Sequence, residues 1–322
     1  MKGNHRAILL SFCLMMLLSG CGKSESVSKA EEKIKVGIML SDVGLGDQSF
    51  SDSAFAGLMK SRDELGVLFD YREIKDTGTY EKGLTELVKE GNDLVIGLGF
   101  MVQEDLEKTA KKYPKQKFIL IDAVSELDNI TSITFKEDEG SFLAGAAAAM
   151  TSKSSTVGFI GGADVPLINK FADGFSEGAK AINPDIKIIT EYANDFGDDK
   201  LGSEIAEKMI GNQADVLYAA AGFTGVGALK AAQDNGVFAI GVDSDQYFYA
   251  EKSVITSMLK NVDVGIYKLL KEYVREKEVP DGHIELGLKD NGVQLAPIRV
   301  ISLTEDQQKT LDEWQKKLAE GN

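Results

Sequence analysis

The sequence predicts an α/β protein made of two doubly wound lobes, and three observations carry that prediction. Short β-branched runs alternate with longer amphipathic stretches from Lys33 onward, the pattern of parallel strands joined by crossover helices. The alternation starts afresh at Val157, without enough self-similarity to be a sequence repeat. Glycines paired with acids or aromatic rings stand where the strands should end, which is where open parallel sheets receive their ligands.

The chain of 322 residues opens with Lys2 and Arg6, followed by an apolar run over residues 7–18. A run of about 12 residues is too short to span a bilayer as a helix, which takes roughly 20, so residues 1–20 read as a signal peptide. Leu18, Ser19 and Gly20 before Cys21 resemble the lipobox of bacterial lipoproteins, which implies that Cys21 is acylated and becomes the first residue of the mature chain. Residues 21–33, rich in Ser, Lys and Glu, cannot bury enough apolar surface to offset their ordering and are expected to form a flexible tether. Cys13 leaves with the signal and Cys21 carries the lipid, so no disulfide remains. About 290 residues still suffice for one or two well-packed cores. The net charge of −15 becomes −15 − 2 = −17 once Lys2 and Arg6 leave. Such acidity argues against nucleic acid as a partner and leaves the acyl chains, rather than attraction to anionic lipid, to hold the protein at the membrane.

Taken in order, strands are expected at residues 34–40, 67–74, 94–97, 118–121 and 130–135, with helices between them. The first helix shows the logic: Ser51 can cap its start, and Ala54, Phe55, Leu58 and Met59 recur at three- and four-residue spacing as one buried stripe. The second set of strands falls at 157–160, 186–191, 216–219, 239–242 and 254–257, with helices near 166–181, 200–211 and 225–235. A long helix over 260–277, strand-like stretches at 283–288 and 293–296 and a last helix over 304–318 suggest a chain that returns to the first lobe and crosses once more to the second.

The strand ends bring forward Asp42, Asp122 and Asp243 among glycine turns such as Gly97-Leu98-Gly99, Gly161-Gly162 and Ala221-Gly222-Phe223. Spread over both lobes, they imply a ligand in the cleft between them. No GxxxxGK[ST] loop is present, and Gly44-Leu45-Gly46 meets Ser49 where a dinucleotide fingerprint needs its third glycine, so no nucleotide cofactor is expected. Acids without neighbouring Lys or Arg serve phosphate poorly but accept well from hydroxyls and ring N–H groups, which favours a neutral, polyhydroxylated or heterocyclic ligand. His5 lies in the signal and His283 in a strand far from the turns, so no Ser-His-Asp triad can be assembled. Asp195, Asp198 and Asp199 around Gly197 miss the EF-hand spacing and read as a solvated turn and helix start, with no metal.

Several segments together resemble the basic membrane protein family of lipoproteins, whose members include purine nucleoside receptors serving ABC transporters. They are Asp42-Val43-Gly44 with Asp47-Gln48-Ser49-Phe50, the stretch 135–145, Gly158-Phe159-Ile160-Gly161-Gly162, Ala221-Gly222-Phe223-Thr224-Gly225, Gly241-Val242-Asp243-Ser244-Asp245-Gln246 and Thr256-Ser257-Met258-Leu259-Lys260. The resemblance spans the mature chain and implies a type I periplasmic-binding-protein fold. Its N-terminal lobe would take residues 34–133 and 262–288, its C-terminal lobe 134–261 and 289–322, with a three-segment hinge between them. It further implies a purine nucleoside in the cleft, an ABC permease as partner, no catalysis, no cofactor and a monomer anchored on the outer face of the cell membrane.

On that resemblance Phe50 stacks on the base from the first lobe, and Phe223 is the candidate from the second, unless it packs as core beneath its turn. Asp243 and Lys260 would hold the ribose; the other readings are a strand-end cap and an exposed hinge lysine. Asp42 and Asp122 would read the base edge, or cap the turns that follow them. Many relatives carry Asn after the stacking Phe where this chain has Ser51, which leaves base discrimination open. Glu137, Glu139 and Ser141 read as capping and dipole groups, and the small residues of 144–150 as a surface for close helix-to-sheet packing. The rival roles are a ligand sensor of the same fold and a nucleoside hydrolase using Asp42 or Asp47 as base. A Lac-repressor-like regulator is disfavoured by a signal where a helix-turn-helix would stand.

Overall fold

The computed structural model describes residues 33–321; the signal peptide, Cys21 and the tether as far as Glu32 lie outside them. In the first half of the chain, β1 (Lys35–Met39), β2 (Leu68–Arg72), β3 (Leu94–Leu98), β4 (Lys117–Ile121) and β5 (Ile130–Phe135) form one parallel sheet. The second half repeats the plan with β6 (Thr156–Gly161), β7 (Lys187–Tyr192), β8 (Val216–Ala220), β9 (Phe238–Asp243) and β10 (Val254–Lys260). Two short strands then complete the sheets: β11 (His283–Leu286) joins β5 in parallel, and β12 (Val293–Leu295) joins β10 antiparallel. The orders β2-β1-β3-β4-β5-β11 and β7-β6-β8-β9-β10-β12 are therefore the same winding twice. β3, β5, β6 and β8 are buried along their whole length, as strands covered on both faces must be, which is why β3 and β8 are continuous apolar runs.

Helices cover both faces of each sheet: α1 (Phe50–Leu65), α2 (Tyr80–Lys89) and α3 (Gln103–Lys112) in the first lobe, then α4 (Glu137–Thr151), α5 (Pro166–Ile182), α6 (Asp199–Gly211) and α7 (Gly222–Asp234) in the second. The chain passes between the lobes three times. It leaves β5 through Lys136 into α4, which packs on α5 and β10. It returns through Asn261 into α8 (Val262–Glu276), which packs on α1, and crosses finally between β11 and β12. The closing helix α9 (Glu305–Ala319) starts with a reciprocal capping box between Thr304 and Gln307 and lays Trp314 against Phe142 of α4, ring centroids 4.7 Å apart.

Three local expectations are corrected and a fourth is extended. Ser51 does not cap α1: Asp47 does, accepting from the backbone N–H of Ser49, Ser51 and Asp52, while the Ser51 hydroxyl pairs with that of Ser41 at 2.7 Å. Residues 67–74 hold a shorter strand, because Glu73 turns inward to accept from the Leu45 N–H and Ile74 begins a helical turn. Lys260 ends β10 rather than starting a helix, its backbone being paired with Val293 of β12. The small residues of α4 serve a helix as well as the sheet, for a Cβ on Gly145 would lie 2.0 Å from the Phe175 carbonyl oxygen of α5.

Candidate functional site

The two sheets point the carboxyl ends of their strands at each other, and a cavity lies between them, lined from both lobes. Its floor is ionic. Lys260, at the end of β10, is only 2% exposed, and its Nζ donates to Asp122 Oδ2 at 2.6 Å across the lobes. The same nitrogen lies 3.0 Å from Glu137 Oε1, close enough for an ion pair but outside hydrogen-bond geometry. Burial works against the ammonium, yet the carboxylates of Asp122, Glu137 and Asp243 outweigh it and hold the group above the ordinary lysine range. Three rings surround the charge: the centroids of Phe50, Phe135 and Phe171 lie 5.2, 5.2 and 5.5 Å from Nζ.

Asp122 and Asp243 end β4 and β9 with left-handed backbone, φ 69° and 61°, an uncommon conformation that Asp tolerates better than most residues. Asp243 Oδ2 accepts from Ser49 Oγ of the opposite lobe, and burial pushes this carboxyl up to about 6 despite Lys260 and Ser49. Asp122 Oδ1 is buried without a hydrogen-bond partner among the described residues. Asp42 lines the cavity while remaining exposed, so it stands at the mouth. Asp47 also borders the cavity, but its oxygens are engaged in capping α1 and are poorly placed to act as a base toward water.

Of the six ligand-site residues expected from sequence, Asp42, Phe50, Asp122, Asp243 and Lys260 meet on this wall. Phe223 does not: it is half-buried near the start of α7 and absent from the cavity lining. In its place stands Phe196 from the loop after β7. A Cβ on Gly162 would lie 2.1 Å from the Phe196 ring, so the glycine at the end of β6 makes room for it, and the Thr224 N–H donates to the Phe196 carbonyl at 3.1 Å. The α7 turn thus backs the segment that carries the ring. In the sequence Phe196 stands among Asp195, Asp198 and Asp199, which mark a solvated turn; its position past a strand end is the usable signal. Phe171 of α5, 3% exposed, lines the same cavity.

The lobes are joined near the mouth by the protein's own atoms. The Gln48 carbonyl accepts from Ser244 Oγ and from Gln246 Nε2, each at 3.1 Å, beside the Ser49–Asp243 bond. Two wound lobes, three chain passages and a cavity lined from both sides define a bilobal solute-binding protein. The chain belongs to the Bmp family, described as ABC transporter substrate-binding protein PnrA-like, whose profile matches residues 34–321. Among its relatives, basic membrane protein B of Borreliella burgdorferi is 32% identical over 300 residues, covering 89% of this chain and 88% of that one. The ABC transporter nucleoside-binding protein BmpA of Lactococcus lactis is 31% identical over 312 residues, covering 89% of each. A solved ABC transporter solute-binding protein of Aeropyrum pernix superposes with a TM-score of 0.82 at 29% identity, over 89% of this chain and 92% of that one. The type I periplasmic-binding-protein fold expected from the motifs is the fold observed, and the family's role is substrate binding rather than catalysis.

Proposed function

We propose that this chain captures a purine nucleoside between its lobes and delivers it to an ABC permease, working from a lipid anchor at Cys21 on the outer face of the cell membrane. The observation that carries the reading is the floor of the cavity, where a buried ammonium, Lys260, is matched by carboxylates from both lobes and flanked by aromatic rings. Its charge is already outnumbered by carboxylates, so an anionic ligand gains little, whereas a neutral heterocycle carrying hydroxyls meets stacking faces and acceptors. Phe50 and Phe196 would face the base, Asp42 and Asp122 its N–H edge, and Asp243 with Lys260 the sugar hydroxyls.

Contacts to both lobes are complete only in the closed form, so the ligand favours closure, and the closed form is what the permease would recognise. The lobes 34–133 with 262–288 and 134–261 with 289–322 would move as the two rigid parts, bending at Lys136, Asn261 and the β11–β12 segment. Calorimetric titration of the purified chain with inosine, guanosine and adenosine tests the claim: a saturable heat and a raised melting temperature with at least one of them are expected. Neither signal with any of the three overturns it.

A further inference from the structure

Glu137, the first residue of α4, is fully buried behind the cavity floor, and neither of its oxygens has a hydrogen-bond partner among the described residues. On one side it faces Lys260 at 3.0 Å; on the other, the half-exposed Lys170 of α5 approaches its Oε2 only to 3.9 Å and equally approaches Glu285 of β11. The remaining titratable groups about it are Asp122 from β4 and Asp243 from β9, both turned to the same ammonium, with the buried hydroxyl of Tyr218 nearby. One inward cation is thus shared by three acids. Asp122 accepts a hydrogen bond from it and Asp243 accepts one from Ser49, which leaves Glu137 as the acid whose charge is least supported.

Its position is mechanically apt. Glu137 sits just past the first chain passage and touches Lys260, which precedes the second. Two residues on, Glu139 accepts from the Leu288 N–H at 2.8 Å and so ties in the third. The acid pair 137/139 therefore links all three segments on which the lobes would turn.

We infer that Glu137 is a positioning residue for the Lys260 ammonium and takes up a proton when a neutral ligand fills the cavity. The inference rests on the nucleoside reading and deepens it. Filling the cavity removes water that screens the surplus negative charge, and a neutral carboxyl group tolerates missing partners at far lower cost than an ionised one. Burial already pushes Glu137 up to about 7, so the event falls in the physiological range.

The experiment is titration of inosine, guanosine and adenosine into the full chain slightly above neutral pH, in buffers of different ionisation enthalpy, which counts protons per ligand bound. Wild type should take up a fraction of a proton and bind progressively more weakly as the pH is raised past neutrality. Glu137→Gln should still bind but without uptake and with a flat profile over that range, and Glu137→Asp should retain uptake. Wild-type binding without proton uptake overturns the inference, as does an uptake in Glu137→Gln equal to wild type. If the Gln variant does not fold, the wild-type proton count alone decides. Failure of wild type to bind any of the three nucleosides overturns the underlying reading and this inference with it.

Discussion

Phe50 and Phe196 face one cavity from opposite lobes, and their truncation separates stacking from mere packing. Phe50→Ala and Phe196→Ala should each weaken inosine binding by more than about 1 kcal/mol, roughly a fivefold rise in Kd, while Phe223→Ala leaves Kd unchanged. Equal losses at Phe223 and Phe196 would return the second stacking role to α7. Asp243 titrates at about 6, and below that value it loses the acceptor that the sugar hydroxyls need. Affinity should therefore fall as the pH drops from about 7 to about 5, a trend absent in Asp243→Asn, followed by the quenching of intrinsic fluorescence or by calorimetry. Glu137 acts on stability as well. With its folded value raised to about 7, the folded chain holds a proton that the unfolded chain releases, so the contribution is fullest below the ordinary glutamate range and is lost as pH rises through about 7. The melting temperature of Glu137→Gln should accordingly gain on wild type between about pH 5 and about pH 8 in the absence of ligand; a constant gap would show that the carboxyl does not titrate there.

The α4–α5 contact is close enough for backbone to meet backbone at Gly178, where any side chain strikes the Phe142 carbonyl. Gly178→Ala should destabilise the fold by about 1–3 kcal/mol, as overpacking of a tight contact does, and urea denaturation would read it. This helix pairing was legible only halfway. The run of alanines and glycines announced a close neighbour, but which neighbour depends on tertiary placement that period and composition do not encode. The strands were far more legible, because burial on both faces leaves an uninterrupted apolar run with glycine and acid at its end. That same rule located Asp42, Asp122 and Asp243. It failed for Phe196, which stands four residues past β7 among acids that suggested other chemistry, and for Glu137, whose place in a first helical turn is fully explained by the helix dipole until folding brings Lys260 against it. Lys260 belongs to the site by its motif and to the following helix by its pattern, since a charged residue at the end of a buried strand contradicts the usual reading of strands.

Across the whole molecule, no helix among the described residues is long and apolar enough to cross a membrane, and the proposed attachment is the lipid at Cys21. Cys21→Ala should move the protein from the membrane fraction to the soluble one without altering nucleoside affinity; continued sedimentation with membranes would refute the anchor. The bonds that Gln48 receives from Ser244 and Gln246 have a different kind of consequence. Gln48, Ser244 and Gln246 lie outside the cavity lining, so these bonds would set the ratio of shut to gaping forms in the unoccupied receptor and enter every dissociation constant as one common multiplier. Tuning this clasp would make the receptor greedier or more sparing toward all of its cargo together, while the choice among cargoes stays with the chamber beneath it.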